Sequence, residues 1–167
     1  MEKLNELCRR DGLKVKKIGM EKNSFHCEFE DNSFLKYKNG KTTLSVTKLE
    51  EYEILFPHID KLILTYDFIE LCDIFPENIK KIKIVSSIFD FPIEHLSKNL
   101  VKLDVCFYYL PKKQFSNLPE NLKILRIFSV NINNQNENDF ANYDFNNLPN
   151  KLQTFEFTGH LDQNQIY

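Results

Sequence analysis

Four cysteines and four histidines are the side chains in this 167-residue sequence best suited to binding a metal or acting as a nucleophile. Only His26 and Cys27 are adjacent. The run around them alternates like a strand, so their side chains should point to opposite faces and cannot easily hold one ion. The four cysteines are widely spaced and form no C-x-x-C motif, which predicts reduced thiols and no metal site. They are Cys8, Cys27, Cys72 and Cys106.

The motifs of common catalytic sites are missing from the sequence. It contains no G-x-S-x-G, no G-x-x-x-x-G-K-[ST] and no G-x-G-x-x-G, and its 4 glycines leave little to cradle a phosphate. Cys106, with Lys102 near it, is either a reactive thiol or a small half-buried filler. We therefore expect neither an enzyme nor a bound cofactor.

A column of lysines is the strongest candidate for binding chemistry. Lys61, Lys81 and Lys102 occupy the same position in successive copies of a repeated segment. If the copies form neighbouring strands, their Cβ atoms should lie about 5 Å apart. Like charges at this spacing cost stability, which favours a role in binding over neutral filler.

The segment that positions these lysines occurs five times. The clearest copy is 118–127, LPENLKILRI, and the others lie at 56–64, 75–84, 96–105 and 148–157. The central apolar residues Leu62, Ile82, Leu103, Leu125 and Phe155 are separated by 20, 21, 22 and 30 positions. A period of this size predicts a solenoid of parallel strands, because one copy cannot bury its own apolar flanks.

Three apolar columns recur in every copy as L-x-x-L-x-L. They are Ile59/Leu62/Leu64, Ile79/Ile82/Ile84, Leu100/Leu103/Val105, Leu122/Leu125/Ile127 and Leu152/Phe155/Phe157. The pattern resembles the leucine-rich repeat, and the L-P-x-x-L-x-x-L-x-[IF] lead-in is similar to the FNIP-repeat variant, common in social amoebae and in large DNA viruses of amoebae. The usual asparagine column is replaced by Asp67, Ser87, Tyr108, Val130 and His160. The resemblance implies a protein-interaction solenoid.

The positions that alternate with the apolar columns define the predicted binding face, on the concave side of the solenoid. We assign partner binding to Lys61, Ile63, Lys81, Lys83, Lys102, Asp104, Ile124, Arg126 and Phe128. With Glu156 included, the face carries five positive and two negative charges on a chain of net charge −2. This local positive excess predicts an acidic protein partner.

Residues 1–47 are predicted to form a unit that caps a solenoid at 48–167. It should contain a short helix at 2–10 and antiparallel strands at 14–18, 24–30, 34–38 and 42–46, with turns at 31–32 and 39–40. The run 44–46 also fits a degenerate first repeat strand. Such a unit would cover the first apolar flank of the repeats.

The return segments between the repeat strands should form the convex side. We expect helices at 47–56 and 66–75, and irregular segments at 107–118 and 128–148. An Asn-rich insertion at 131–147 lengthens the last return, either as a solvated loop or as a partner-binding loop.

The predicted fold is an α/β solenoid, leucine-rich-repeat-like, with about five parallel concave strands behind an antiparallel cap with a leading helix. The predicted function is non-catalytic binding of an acidic protein segment by the concave face. RNA binding by the lysine column is the alternative, although the acidic net charge and the single aromatic residue on the face argue against nucleic acid. With no apolar run of membrane-spanning length and no signal-peptide pattern, we expect a cytoplasmic protein.

The last repeat strand is a predicted edge. Only Leu161 and Ile166 are aliphatic after Thr158, so the strand would expose unpaired backbone groups unless the tail or the insertion covers it. We therefore predict a homodimer joined through 154–158.

Overall fold

One nine-stranded sheet carries the fold. The structure, a computed structural model, describes residues 1–9, 12–46, 50–65, 75, 77–88, 96–109, 117–129 and 148–158. The strands are β1 (Val15–Glu21), β2 (Ser24–Phe29), β3 (Phe34–Lys38), β4 (Lys41–Val46), β5 (Lys61–Thr65), β6 (Lys81–Ile88), β7 (Lys102–Tyr109), β8 (Ile124–Ser129) and β9 (Thr154–Thr158). Their order across the sheet is their order in the sequence.

The first four strands pair antiparallel, as predicted. Asn39 and Gly40 join β3 to β4 with φ angles of 52° and 77°. Two left-handed residues in a two-residue turn match the twist of the flanking strands, which explains why Asn-Gly occurs here. Asn32, with φ 66°, stands in the other predicted turn. Strand β1 continues to Glu21, three residues beyond its predicted end.

The remaining strands pair parallel, beginning with β4 against β5. Strands β5 to β9 come from the five repeated segments, and β4 adds a sixth parallel strand. Leu44 lies opposite Leu62 and Val46 opposite Leu64, so the 44–46 run takes the position of a first repeat strand. Strand β4 therefore belongs to both parts of one continuous sheet.

The apolar columns form the core on one side of the sheet. Their members in β5 to β8 and in the lead-ins to these strands are all buried. Burying one such side chain contributes about 1.5–3 kcal/mol. The last copy differs, because Phe155 is 40% exposed while Leu152 and Phe157 are only partly buried.

The two described helices lie at the N-terminal side of the repeats. Helix α1 (Glu2–Cys8) buries Leu4, Leu7 and Cys8, as its pattern predicts. The segment Glu50–His58 is a 3-10 helix that buries Tyr52 and Leu55. It overlaps the helix predicted at 47–56 and ends two residues later, while 47–49 lie outside the described residues. The predicted helix at 66–75, apart from buried Phe75, and the 131–147 insertion lie outside the described residues. In the described ranges, no helix has the length and apolarity needed to cross a membrane.

Candidate binding face

The side of the sheet opposite the core presents the alternating positions of the strands, and we call it the open face. In the parallel part it consists of Lys61, Ile63, Thr65, Lys81, Lys83, Val85, Lys102, Asp104, Cys106, Ile124, Arg126, Phe128, Thr154, Glu156 and Thr158. All are half-buried or exposed. The nine residues assigned to partner binding therefore share one surface.

The predicted lysine column is confirmed by the strand register. Lys61 lies opposite Lys81, and Lys81 opposite Lys102, at the strand spacing of about 4.8 Å. The row then continues to Ile124 and Thr154. Three neighbouring ammonium groups are thus followed by uncharged side chains, which concentrates the positive charge on β5 to β7.

The same row extends into the antiparallel strands. Lys61 lies opposite Thr43, Thr43 opposite Lys36, and Lys36 opposite His26. We call His26, Lys36, Lys61, Lys81 and Lys102 the basic row. It crosses β2 to β7, five strand spacings or about 24 Å. The sequence alone does not place His26 and Lys36 in this row, because the repeat pattern does not fix the register of the hairpins.

The second row of the open face alternates in charge. Ile63, Lys83, Asp104, Arg126 and Glu156 lie opposite one another in that order. Arg126 Nη2 donates a hydrogen bond to Glu156 Oε1 (3.1 Å), and its Nε lies 2.8 Å from Oε2, although that N–H is not aligned for a hydrogen bond. The charge of Arg126 is therefore largely matched within the sheet.

Asp104 pairs along its own strand rather than across it. Its Oδ2 atom lies 3.0 Å from Lys102 Nζ, while Oδ1 is buried and has no hydrogen-bond partner among the described residues. By contrast, Lys61, Lys81 and Lys83 have no carboxylate within 4.0 Å in the described part of the chain. These three lysines carry the unmatched charge of the face.

Apolar side chains flank the charged rows. Phe128 on β8 is 37% exposed and lies opposite half-buried Cys106. In the antiparallel part, the rings of His26 and Phe34 are 5.9 Å apart. These side chains offer contact area to a ligand that covers the lysines.

The adjacent pair His26 and Cys27 does not converge on the open face. His26 is exposed on this face, whereas Cys27 is fully buried on the other, so the one adjacent metal-capable pair is divided by the sheet. Among the described residues, no group of three His, Cys, Asp or Glu side chains is placed to hold a metal ion. The face can attract and hold anionic groups.

An asparagine ladder ties successive copies together. The Nδ2 atoms of Asn78, Asn99 and Asn121 donate to backbone carbonyls of the preceding copy, at Phe56 (2.6 Å), Glu77 (3.1 Å) and Lys98 (3.0 Å). The signal that reveals the ladder is an Asn just before the first apolar column in three copies.

Comparison of the chain with protein-family models, with curated proteins and with solved structures finds no match.

Proposed function

We propose that this chain is a non-catalytic protein-binding module that holds an acidic protein segment on its open face. In this proposal, residues 48–167 form a leucine-rich-repeat-like solenoid and residues 1–47 cover its first flank. The observation that carries the functional proposal is the basic row. This row runs across six strands. Within the described residues, Lys61, Lys81 and Lys83 on the same face have no carboxylate close enough to form an ion pair.

The size of the basic row suits a short extended segment. A peptide in strand conformation advances about 3.4 Å per residue, so about seven residues would match a row of about 24 Å. Acidic side chains on such a segment would relieve the repulsion between neighbouring lysines. Because Lys102 already pairs with Asp104, the strongest attraction should lie at Lys61, Lys81 and Lys83.

The partner should be held by contacts other than charge alone. Half-exposed lysine pairs contribute little individually, about 0–1 kcal/mol. Ile63 and Val85 border the lysines, and Phe128 lies further along the same face on β8; these side chains supply the apolar contact that such pairs lack. A segment combining acidic residues with one or two large apolar residues therefore fits the face best.

The proposal is tested with the triple variant Lys36→Glu, Lys61→Glu, Lys83→Glu. A matched control carries Lys14→Glu, Lys22→Glu and Lys98→Glu, which makes the same charge change at exposed lysines away from the row. Proteins captured from native cells by the wild type and the control, but not by the triple variant, would support the proposal. Equal capture by both variants would refute it.

RNA binding by the same row is distinguished by its salt dependence. Neutralising several phosphates releases condensed ions, so RNA affinity falls steeply with salt concentration. A titration of fluorescent oligouridylate against increasing salt measures this directly. Micromolar RNA binding with a steep slope, abolished in the triple variant, would replace the acidic protein segment with RNA.

A further inference from the structure

A second basic surface lies at the edge of the sheet where the parallel strands begin. It is an open groove of about 950 Å³, formed by the lead-ins of successive copies and the first residue of β4. Lys41, Lys80, Lys81, Lys123 and Lys151 line it, and the ladder asparagines line it as well. Lys81 belongs to the open face, and Lys41 lies on the same side of the sheet, two residues before Thr43 on β4; Lys80, Lys123 and Lys151 do not belong to that face.

The groove concentrates positive charge without matching it. Its five lysines are all exposed, and none has a carboxylate within 4.0 Å among the described residues. The two acidic residues of the lining are Asp60 and Glu77. Asp60 is already engaged, because its Oδ2 atom accepts a hydrogen bond from the backbone N–H of Thr42 (2.7 Å). A chain of net charge −2 thus gathers an excess of three positive charges here.

The backbone that carries these lysines is held in place. The carbonyl of Lys80 accepts hydrogen bonds from the N–H groups of Val101 and Lys102, at 2.8 and 3.0 Å. The carbonyl of Lys123 likewise accepts hydrogen bonds from two backbone N–H groups of the next copy. Lys151 Nζ donates to Asn121 Oδ1 (2.8 Å), a neutral acceptor that orients the ammonium without cancelling its charge. The backbone positions of Lys80 and Lys123 and the ammonium group of Lys151 are therefore held in place.

We propose that this groove binds a compact ligand carrying two or more phosphate groups. Its volume falls in the range of small-molecule sites, about 300–1,000 Å³, and is too small to take a protein domain. Lysine ammonium groups bind phosphate as point charges, and the lining contains no arginine fork for planar carboxylates. Lys80 precedes β6 and Lys123 precedes β8, so their backbones are two strand spacings apart, or about 10 Å. Two linked phosphates can bridge the ammonium groups that extend from these positions.

Phosphate also suits the charge density better than carboxylate. A phosphate monoester carries about −1.5 to −2 charges near neutral pH, so two groups would neutralise the excess in the groove. An acidic peptide would need a carboxylate for each charge and correspondingly more room. This ligand differs from the acidic segment proposed for the open face, and the two sites adjoin at Lys41 and Lys81.

Isothermal titration with inorganic tripolyphosphate tests the proposal. Wild-type protein should bind it saturably and should bind orthophosphate much more weakly. The double variant Lys80→Ala, Lys123→Ala should weaken binding by about tenfold or more, since two of the five charges are lost. Lys22→Ala, at an exposed turn, should change it less than about twofold. Equal binding by wild type and double variant would overturn the proposal.

Two further measurements separate this groove from the open face. The variant Lys36→Ala, Lys83→Ala, which removes two lysines that do not line the groove, should weaken tripolyphosphate binding much less than Lys80→Ala, Lys123→Ala does. In wild-type protein, the side-chain amide signals of Asn78, Asn99 and Asn121 should shift on titration, because these residues line the groove. Shifts confined to the open face, or displacement of tripolyphosphate by an equimolar glutamate-rich peptide, would contradict the assignment.

Discussion

Asp60 and Thr42 hold each other by two hydrogen bonds. The backbone N–H of Asp60 donates to the carbonyl of Thr42 (2.9 Å), and the backbone N–H of Thr42 donates to Asp60 Oδ2 (2.7 Å). Thr42 lies on β4, the last antiparallel strand, and Asp60 immediately precedes β5. The pair therefore fastens the antiparallel part to the first repeated strand at the point where the strand direction changes.

Removing this carboxylate should destabilise the protein. Asp60→Ala leaves the Thr42 N–H without its acceptor, which costs about 1–3 kcal/mol, the range for an unsatisfied buried donor. Asp60→Asn keeps an acceptor oxygen and should lose less. Urea unfolding of the three proteins measures the difference, and equal stability of Asp60→Ala and wild type would show that the bond contributes nothing.

The core should respond unequally along the sheet. Leu125→Ala should cost about 2–5 kcal/mol, because Leu125 is fully buried and its removal leaves a cavity. Its register partner Phe155 is 40% exposed, so Phe155→Ala should cost less than half as much. The same denaturant series measures both. A larger loss at Phe155 would mean that β9 is packed more completely than its exposure indicates.

The asparagine ladder should stabilise each junction between copies. Asn99→Ala should cost about 0.5–1.5 kcal/mol by removing the bond to the Glu77 carbonyl. Asn99→Asp should cost more, because a carboxylate cannot donate to that carbonyl and repels it. Glu120→Ala, at an exposed neighbouring position, is the control and should change stability by less than about 0.5 kcal/mol. If Asn99→Asp were as stable as wild type, the amide donor would be dispensable.

His58 should titrate below its ordinary range. Burial, and secondarily the charge of Lys3, lowers the pKa of His58 from 6.5. The unfolded chain therefore binds a proton more readily, so stability should fall as the pH drops below 6.5 and should level off below the folded-state pKa. NMR titration measures this pKa directly, and Lys3→Ala should raise it. A pKa at or above 6.5 in the folded protein would contradict the burial of His58.

The described thiols should differ in reactivity. Cys8 and Cys27 are fully buried, and the hydrogen bond with Cys27, together with burial, raises the pKa of the Cys8 thiol. Cys106 is half-buried on the open face. Iodoacetamide labelling of native protein, followed by peptide mass spectrometry, should modify Cys106 well before Cys8 or Cys27. Comparable rates at the three sites would indicate that helix α1 opens readily from β2.

The repeated strands were predictable because two periods agree. Alternation along each strand separates Leu62 and Leu64 from Lys61 and Ile63, and the spacing of about 21 residues aligns the copies. Together they fix the register, and with it the lysine column. The ion pairs were not predictable, because Lys102 can reach Asp104 on its own strand or Lys83 and Arg126 can reach Asp104 across it. Only side-chain packing decides between these arrangements.

The groove could not be predicted from the sequence either. Its lysines occupy different positions in their copies. Lys80 and Lys123 stand immediately before their strands, whereas Lys151 stands three residues before β9. No single column contains them, and they converge only because each lead-in turn stacks on the previous one. The predicted homodimer through 154–158 and the assignment to the FNIP-like repeat remain predictions.

Each strand of the sheet pairs with the strands before and after it in the sequence. The width of the sheet therefore grows by one strand spacing for each repeated copy. Duplicating a copy such as 96–117 would insert one strand and move the groups on either side about 4.8 Å further apart. Deleting a copy would bring them closer by the same step. Gene duplication could therefore change the length of the sheet in fixed increments, without redesigning its core.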